Sequence, residues 1–441
     1  MLALPFFGLG RFLGTVAPPA WRLALAGPSV QAHGIRWGGT LEIFAVSLYA
    51  PVASALLCAL FFLWQRRLGS SAVAASVATL ALGATTYVAM MSVYFLQHTS
   101  ETLAILGALY AMRRFRDRAP LAWLASGSAL ASSSVLIRAA SVAAAPALAG
   151  YALWAAWRRR AFGWVRLAAA LALPFLAVVA AHVALNYAKW GSWLSSPMLA
   201  HTERMVIPIR VGLAGFLVSP GCSLFVYTPL LLLAPWILAD AWRRQRAECA
   251  VALASLASFL LVCARYEFWT GLWSSPGPRY LFATVPLLLL GLGPWLDAHP
   301  GRAARAAFGT LAALGLAVQI ALMAVSWPAV IELMHYREYQ PPKAFLFVLD
   351  QSPILGALRA LRGGWVDAWL WQLGAGWEGR PGTPGVAAAL GVAWCVAFGA
   401  SARAARRALG ELASAERRAL GKAPPPPLSP VQQGEQHREV R

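Results

Sequence analysis

Long apolar stretches, interrupted by arginine clusters on some boundaries and by Pro-Gly turns on others, set the pattern of this chain. Runs able to form a bilayer-crossing helix fall at 42–64, 71–92, 99–112, 120–138, 139–157, 167–187, 217–239, 248–267, 281–296, 305–326 and 385–400. Several are shorter than the roughly 20 residues that a hydrocarbon core asks for, so the total is about eleven. The pattern predicts an all-α fold: a polytopic transmembrane helix bundle with short outer-face helices. Residues 1–41 read as an outer-face interfacial segment, because LALPFFGLGRFLG is apolar but short and lacks the basic start of a signal peptide. The bundle proper then covers 42–326. Residues 327–384, with scattered charges, a Gln340-Pro-Pro turn and many tryptophans, read as an outer-face cap. A last transmembrane helix at 385–400 leads to a basic amphipathic helix and a Pro-rich, disordered end over 401–441. No internal repeat is evident.

Composition removes the soluble alternatives. Of the 441 residues 59% are apolar and only 12% charged, and the mean hydropathy is +0.60, values that a soluble globular domain does not approach. The net charge of +20 is explained by anchoring against anionic lipid, with no need for nucleic acid. Most of the basic residues fall in 65–70, 113–119, 158–166, 243–248, 297–305 and the tail after Ser401, and the positive-inside rule makes those segments cytoplasmic. The N-terminus, the stretch 265–280 and 327–384 then face outward, with the chain multi-pass in the inner (plasma) membrane. Cys58, Cys222, Cys249, Cys263 and Cys395 lie in or beside apolar runs without metal or disulfide spacing, and read as core residues.

Candidate chemistry gathers at the outward ends. RYEFWTGLWSSPGPRY places Arg265, Glu267, Arg279 and Tyr280 around a backbone restricted by Pro-Gly-Pro, between two apolar runs. A half-buried arginine there needs an anion or a carbonyl, which suggests a pocket for an anionic group. His98 and Glu101 stand three apart at the start of a predicted helix; they either cap and flank that helix or face a cleft. One His and one Glu are a weak signal for a metal, so no cofactor is assigned and a divalent metal stays open. Arg138 falls between two apolar runs and either snorkels to the interface or turns inward to pair with an anion. Asn186, Tyr187 and Lys189 sit at the outer end of their span, where an interfacial turn explains most of the pattern.

In order and spacing, LALPFFGLGRFLG, YFLQHTSETLAILGALY, SGSALASSSVLIRAASVAAAPAL, LNYAKWGSWLSSP, GLAGFLVSPGCSLFVYTPLLLL and WTGLWSSPGPRYLFATVPLLLL resemble bacterial polytopic proteins of the GT-C glycosyltransferase superfamily, in the protein-mannosyltransferase-like and aminoarabinose-transferase-like branch. The resemblance covers about residues 1–300. It implies transfer of a sugar from a polyprenyl-phosphate donor to a lipid or glycan acceptor at the outer face. Arg279 and Arg138 would then meet the leaving phosphate, where bidentate arginine stabilises developing charge. The family carries its acidic catalytic residue in a first outer loop preceding the segment that matches LALPFFGLG, so the resemblance implies either that an upstream span and loop are missing from this sequence, which is the expectation, or that the protein has lost that base. Within it, Glu101 matches a position where the family places polar or acidic residues, with His98 beside it. Glu42 and Glu267 qualify as proton acceptors by location alone. A transporter or lipid-handling protein fits the same Gly and Pro interruptions, although the chain has no inverted repeat and no acid deep in the spans. An inactive GT-C-like partner subunit is the third reading.

The charge distribution yields a topology test. Cysteine placed at Ser274 is expected to be labelled by a membrane-impermeant maleimide on intact cells, and cysteine at Ser414 only after permeabilisation; labelling at Ser414 from outside inverts the orientation.

Overall fold

The computed structural model describes residues 2–18, 30–32, 35–37, 41–159, 162–193, 205–267, 269–271, 275–334 and 344–367, with the isolated positions 388 and 392. The expected last span at 385–400 and the tail at 401–441 therefore lie outside the described residues, apart from those two positions. Residues Met1–Gly391 form one unit.

Its first half contains α1 (Leu4–Val16), β1 (Val30–Ala32), β2 (Ile35–Trp37), α2 (Leu41–Ser47), α3 (Tyr49–Arg67), α4 (Ala72–Thr85), α5 (Tyr87–Met91), α6 (His98–Arg116), α7 (Ala122–Ile137), α8 (Ala145–Arg158) and α9 (Trp164–Trp190). There follow α10 (Ile209–Leu217), α11 (Leu224–Tyr227), α12 (Ala234–Cys263), α13 (Thr284–Leu288), α14 (Leu292–Ala298), α15 (Arg302–Met323), α16 (Trp327–Leu333) and α17 (Pro353–Arg362), with short 3₁₀ turns between them. The helical bundle agrees with the expected class, with one correction. Strands β1 and β2 pair antiparallel, Val30 opposite Trp37 and Ala32 opposite Ile35, inside the segment expected to be interfacial.

Leu41–Arg67, Trp164–Trp190, Pro229–Cys263 and Arg302–Met323 are long and apolar enough to cross a membrane. The third does not run straight. Gln245 has non-helical angles (φ −140°, ψ 43°), and Cys249 Sγ lies 3.9 Å from the Leu238 carbonyl, whereas eleven residues of straight helix span about 16 Å. The chain folds back at Gln245, within the loop expected at 243–248. Large apolar side chains on α1, α3, α9 and α15, among them Phe12, Leu56, Leu173 and Ile320, are exposed. Such an exterior suits a multi-pass membrane protein whose solvent is lipid.

In lipid, apolar contact gives little drive to associate, and close approach through small residues takes its place. A Cβ on Gly127 of α7 would stand 2.7 Å from Met112 Cγ of α6, and one on Gly315 of α15 would stand 2.1 Å from the Thr85 carbonyl of α4. Between these contacts α6 is enclosed by α3, α7 and α8 and buried from His98 to Phe115 on nearly every face. Side-chain caps define other starts: Ser71 Oγ accepts from Ala74 N at 3.1 Å while Ser71 itself is held by Asp297, joining the starts of α4 and the end of α14.

The far end of α6 is fixed by charge. Glu248 Oε1 accepts from Arg113 Nη1 at 3.1 Å, Arg116 Nη1 at 2.6 Å and Tyr151 Oη at 2.8 Å, and so ties α6, α8 and α12 at one atom. Asp117 bridges from Arg116 to Arg67 of α3 at 2.9 and 3.2 Å. Because Glu248 is 1% exposed, Glu248→Gln removes the buried charge on which Arg113 and Arg116 converge and leaves them only Asp117, at 3.5 and 2.9 Å, and a loss of about 3 kcal/mol is expected. Thermal unfolding in detergent measures it as a lowered midpoint; a midpoint equal to the parent's contradicts this role.

Candidate functional site

At the opposite end of the bundle three chain breaks converge. Helix α6 begins at His98, so its first turn presents buried His98, Thr99, Ser100 and Glu101, and a carboxylate there suits the helix N-terminus. Helix α7 stops at Arg138, which is extended (φ −156°, ψ 122°) and leads into a 3₁₀ turn, Ala139–Ala143. The third break is the turn at 275–278 that feeds a 3₁₀ turn at Arg279–Leu281.

Arg138 and Glu101 meet. Arg138 Nη1 lies 3.0 Å from Glu101 Oε2, and Ser141 Oγ donates to Glu101 Oε1 at 2.7 Å. Tyr280 occupies the centre: the Arg138 guanidinium lies 4.5 Å from its ring centroid and that of Arg279 5.2 Å, and His98 and Tyr266 meet the same ring edge-on at 6.1 and 5.6 Å. His98, Glu101, Arg138, Arg279 and Tyr280 are thus brought together around one aromatic ring.

The charges in this cluster are unequally compensated. Arg138 is balanced by Glu101. Arg279 has no carboxylate partner among the described residues; its Nη2 reaches only Tyr280 Oη at 3.5 Å, and its Nε and Nη1 are buried with no hydrogen-bond partner. Both ring nitrogens of His98 and the Thr99 hydroxyl are in the same condition. Unmatched buried donors beside an uncompensated cation are chemically suited to accept an anion. Among the described residues no group of three or more His, Cys, Asp and Glu side chains is placed to hold a metal ion.

Arg279 is positioned by backbone. Gly271 (φ +64°) stands so close that a Cβ there would lie 2.5 Å from Arg279 Nε, and Gly277 (φ +84°) is pressed between Tyr227 and Tyr87, at 2.6 and 2.9 Å from the position of a Cβ. Tyr87 Oη donates to the Pro276 carbonyl. Tyr227 Oη donates to the Gly221 carbonyl at 3.1 Å, and Gln319 Nε2 to the Tyr227 carbonyl at 2.8 Å. Tyr87, Tyr227 and Ser141 escaped the sequence reading, since a hydroxyl in an apolar run carries no mark of which face it occupies.

The remaining candidates are placed differently. Arg265 is exposed and donates to the Met205 carbonyl at 3.2 Å, a tie at the surface. Asn186 Nδ2 donates to the Ser192 carbonyl at 3.0 Å and Tyr187 stacks on Trp193 at 4.2 Å, so both hold the end of α9, where Lys189 is exposed. Glu42 is partly exposed in the first turn of α2, with its Cα under Gly10 of α1. Glu267 is half-buried beside Tyr266.

The clamp on the turn is testable against a control. Gly69 shares the positive φ (+88°) but has open space where a Cβ would stand. Gly69→Ala should therefore cost about 1 kcal/mol of strain, and Gly277→Ala more, through overlap with Tyr87 and Tyr227. Equal thermal midpoints for the two variants contradict the clamp.

No family model matches the chain, and no curated protein does. Among solved structures the chain is similar to a crystal structure of ArnT from Cupriavidus metallidurans bound to undecaprenyl phosphate, at 18% identity over 82% of this chain and 71% of that one, with a TM-score of 0.43.

Proposed function

We propose that the His98 end of the bundle faces outward and grips the phosphate of a polyprenyl-phosphate-linked sugar, and that the protein transfers this sugar to a hydroxyl of a lipid or glycan acceptor. The observation that carries the reading is Arg279: a cation with two buried, unpartnered donors, next to an arginine already neutralised by Glu101. A phosphodiester bears one negative charge, which matches that single excess positive charge. When the anomeric carbon leaves the phosphate, a second charge grows on the departing oxygen. Fixed guanidinium donors stabilise that state more than the ground state, which is the requirement for catalysis.

Tyr280 supports this use. Its ring lies against both guanidinium groups, so the two are held in fixed relation without a carboxylate to neutralise Arg279. One observation favours binding without reaction, as in a transporter or an inactive partner subunit: both oxygens of Glu101 are already engaged, which leaves that carboxylate poorly placed to accept a proton.

Two measurements separate these readings. Purified protein in lipid nanodiscs should bind undecaprenyl phosphate, and Arg279→Lys should weaken binding about tenfold, because lysine keeps the charge and loses the planar fork. Arg265→Lys, on the surface tie, should leave affinity unchanged. With a panel of synthetic polyprenyl-phosphate hexoses and pentoses and membrane lipid extract as acceptor, transfer releases polyprenyl phosphate. Binding without release supports the transport or partner reading, and absence of binding removes the phosphate site altogether.

A further inference from the structure

The end of α6 away from His98 repeats, around a tryptophan, the arrangement found at Tyr280. The guanidinium groups of Arg116 and Arg158 each lie 5.6 Å from the centroid of the Trp154 ring, and only one of the two is neutralised. Arg116 pairs with Glu248 and Asp117 at 2.6 and 2.9 Å, whereas Arg158 has no carboxylate partner among the described residues. Two neighbouring cations share its condition. Arg159 Nη1 donates to the Phe115 carbonyl at 2.6 Å, which brings the end of α8 against the last turn of α6, and its guanidinium lies 4.9 Å from the Phe162 ring. Arg114, in that last turn, lies 4.9 Å from the Trp123 ring, and its Nε is buried with no hydrogen-bond partner. Glu248 and Asp117, the acids tied to this end of α6, are already taken up by Arg67, Arg113 and Arg116.

Beside these cations the surface is apolar. Leu153 and Trp157 of α8 and Trp164 and Val165 of α9 are exposed. In a chain whose exterior is lipid, exposed leucine and tryptophan mark the acyl region and its boundary, so the three uncompensated guanidinium groups stand at the level of the phospholipid phosphates. We propose that the α6–α8 end is a binding site for the phosphodiester headgroup of an anionic phospholipid, with Arg114, Arg158 and Arg159 as its donors. A zwitterionic lipid brings its own cation and gains little from excess positive charge, while an anionic one is drawn by each arginine. Stacking on Trp123, Trp154 and Phe162 restrains the guanidinium planes before the lipid arrives, so less side-chain freedom is lost on binding. Each planar fork then offers parallel donors to the phosphate oxygens. The site is separate from the phosphate grip proposed at Arg279 and does not depend on it.

The full chain, purified in a neutral detergent and stripped of lipid, supplies the test. Its thermal midpoint is followed as phosphatidylglycerol, phosphatidylcholine or inorganic phosphate is added. Phosphatidylglycerol should raise the midpoint and saturate, because a ligand that binds only the folded state stabilises it; the other two, at the same concentration, should not. Arg114→Gln with Arg158→Gln should weaken the apparent phosphatidylglycerol affinity about tenfold or more. Arg243→Gln with Arg302→Gln removes the same charge from exposed positions and should change it by less than about threefold, as should Arg279→Gln. An equal loss in the two paired variants makes the attraction a diffuse surface field and overturns the site. Loss of the response in Arg279→Gln moves it to the other end of the bundle and also overturns it. A midpoint raised equally by phosphatidylcholine removes the need for an anionic headgroup, and one raised by inorganic phosphate removes the assignment to lipid. Should the paired variant fail to fold, Arg158→Gln alone, at an exposed position outside the Glu248 contacts, should still lose about threefold or more in affinity; an affinity equal to the parent's overturns the proposal.

Discussion

Transferring an ion from water into a bundle surrounded by hydrocarbon is costly enough that each buried charge needs a partner at fixed distance. Helix α6 carries such charges at both ends. Glu101 is held by Arg138 and Ser141, and about 18 Å along the axis Arg113 and Arg116 converge on Glu248. These pairings tie α6 to the break after α7 at one end and to α8 and α12 at the other. The small-residue contact at Gly127 then sets how closely α7 approaches. Arg279 departs from this rule within its cluster, and the departure is what makes that end of the bundle a candidate receptor.

How much was legible in the sequence depended on the kind of signal. Apolar runs located unbroken helices well, as with Trp164–Trp190 against the expected 167–187 and Arg302–Met323 against 305–326. They failed to show interruption. The run at 281–296 is divided into a 3₁₀ turn, α13 and α14, because a row of leucines gives no sign of where the helix loses its hydrogen bonds. The ribbon at Val30–Ala32 and Ile35–Trp37 was missed because strands of three residues are too short for alternation to register.

In the candidate site, charge was informative and charge location was not. Arg138 and Arg279 stand out as ions amid apolar residues, and both lie in the cluster. Arg265 and Lys189 carry the same signal, yet they are exposed, since a charge at the end of a span can face either the interior or the surroundings. Ser141, Tyr87 and Tyr227 had no signal at all. Their roles arise from tertiary contacts across 40, 189 and 6 residues of chain, and the hydroxyl group alone does not announce them.

The break at Arg138 joins three functions in four residues. Its amide closes the last turn of α7 on the Ser134 carbonyl at 3.0 Å, its carbonyl accepts from the Ser141 amide at 2.9 Å, and the side chains of both residues converge on Glu101. The spacing between Arg138 and Ser141 therefore acts as a ruler. Adding or deleting one residue there would rotate the serine away from the carboxylate while leaving every side chain of the ion pair chemically intact, so the segment is sensitive to length where an ordinary connecting loop would absorb the change.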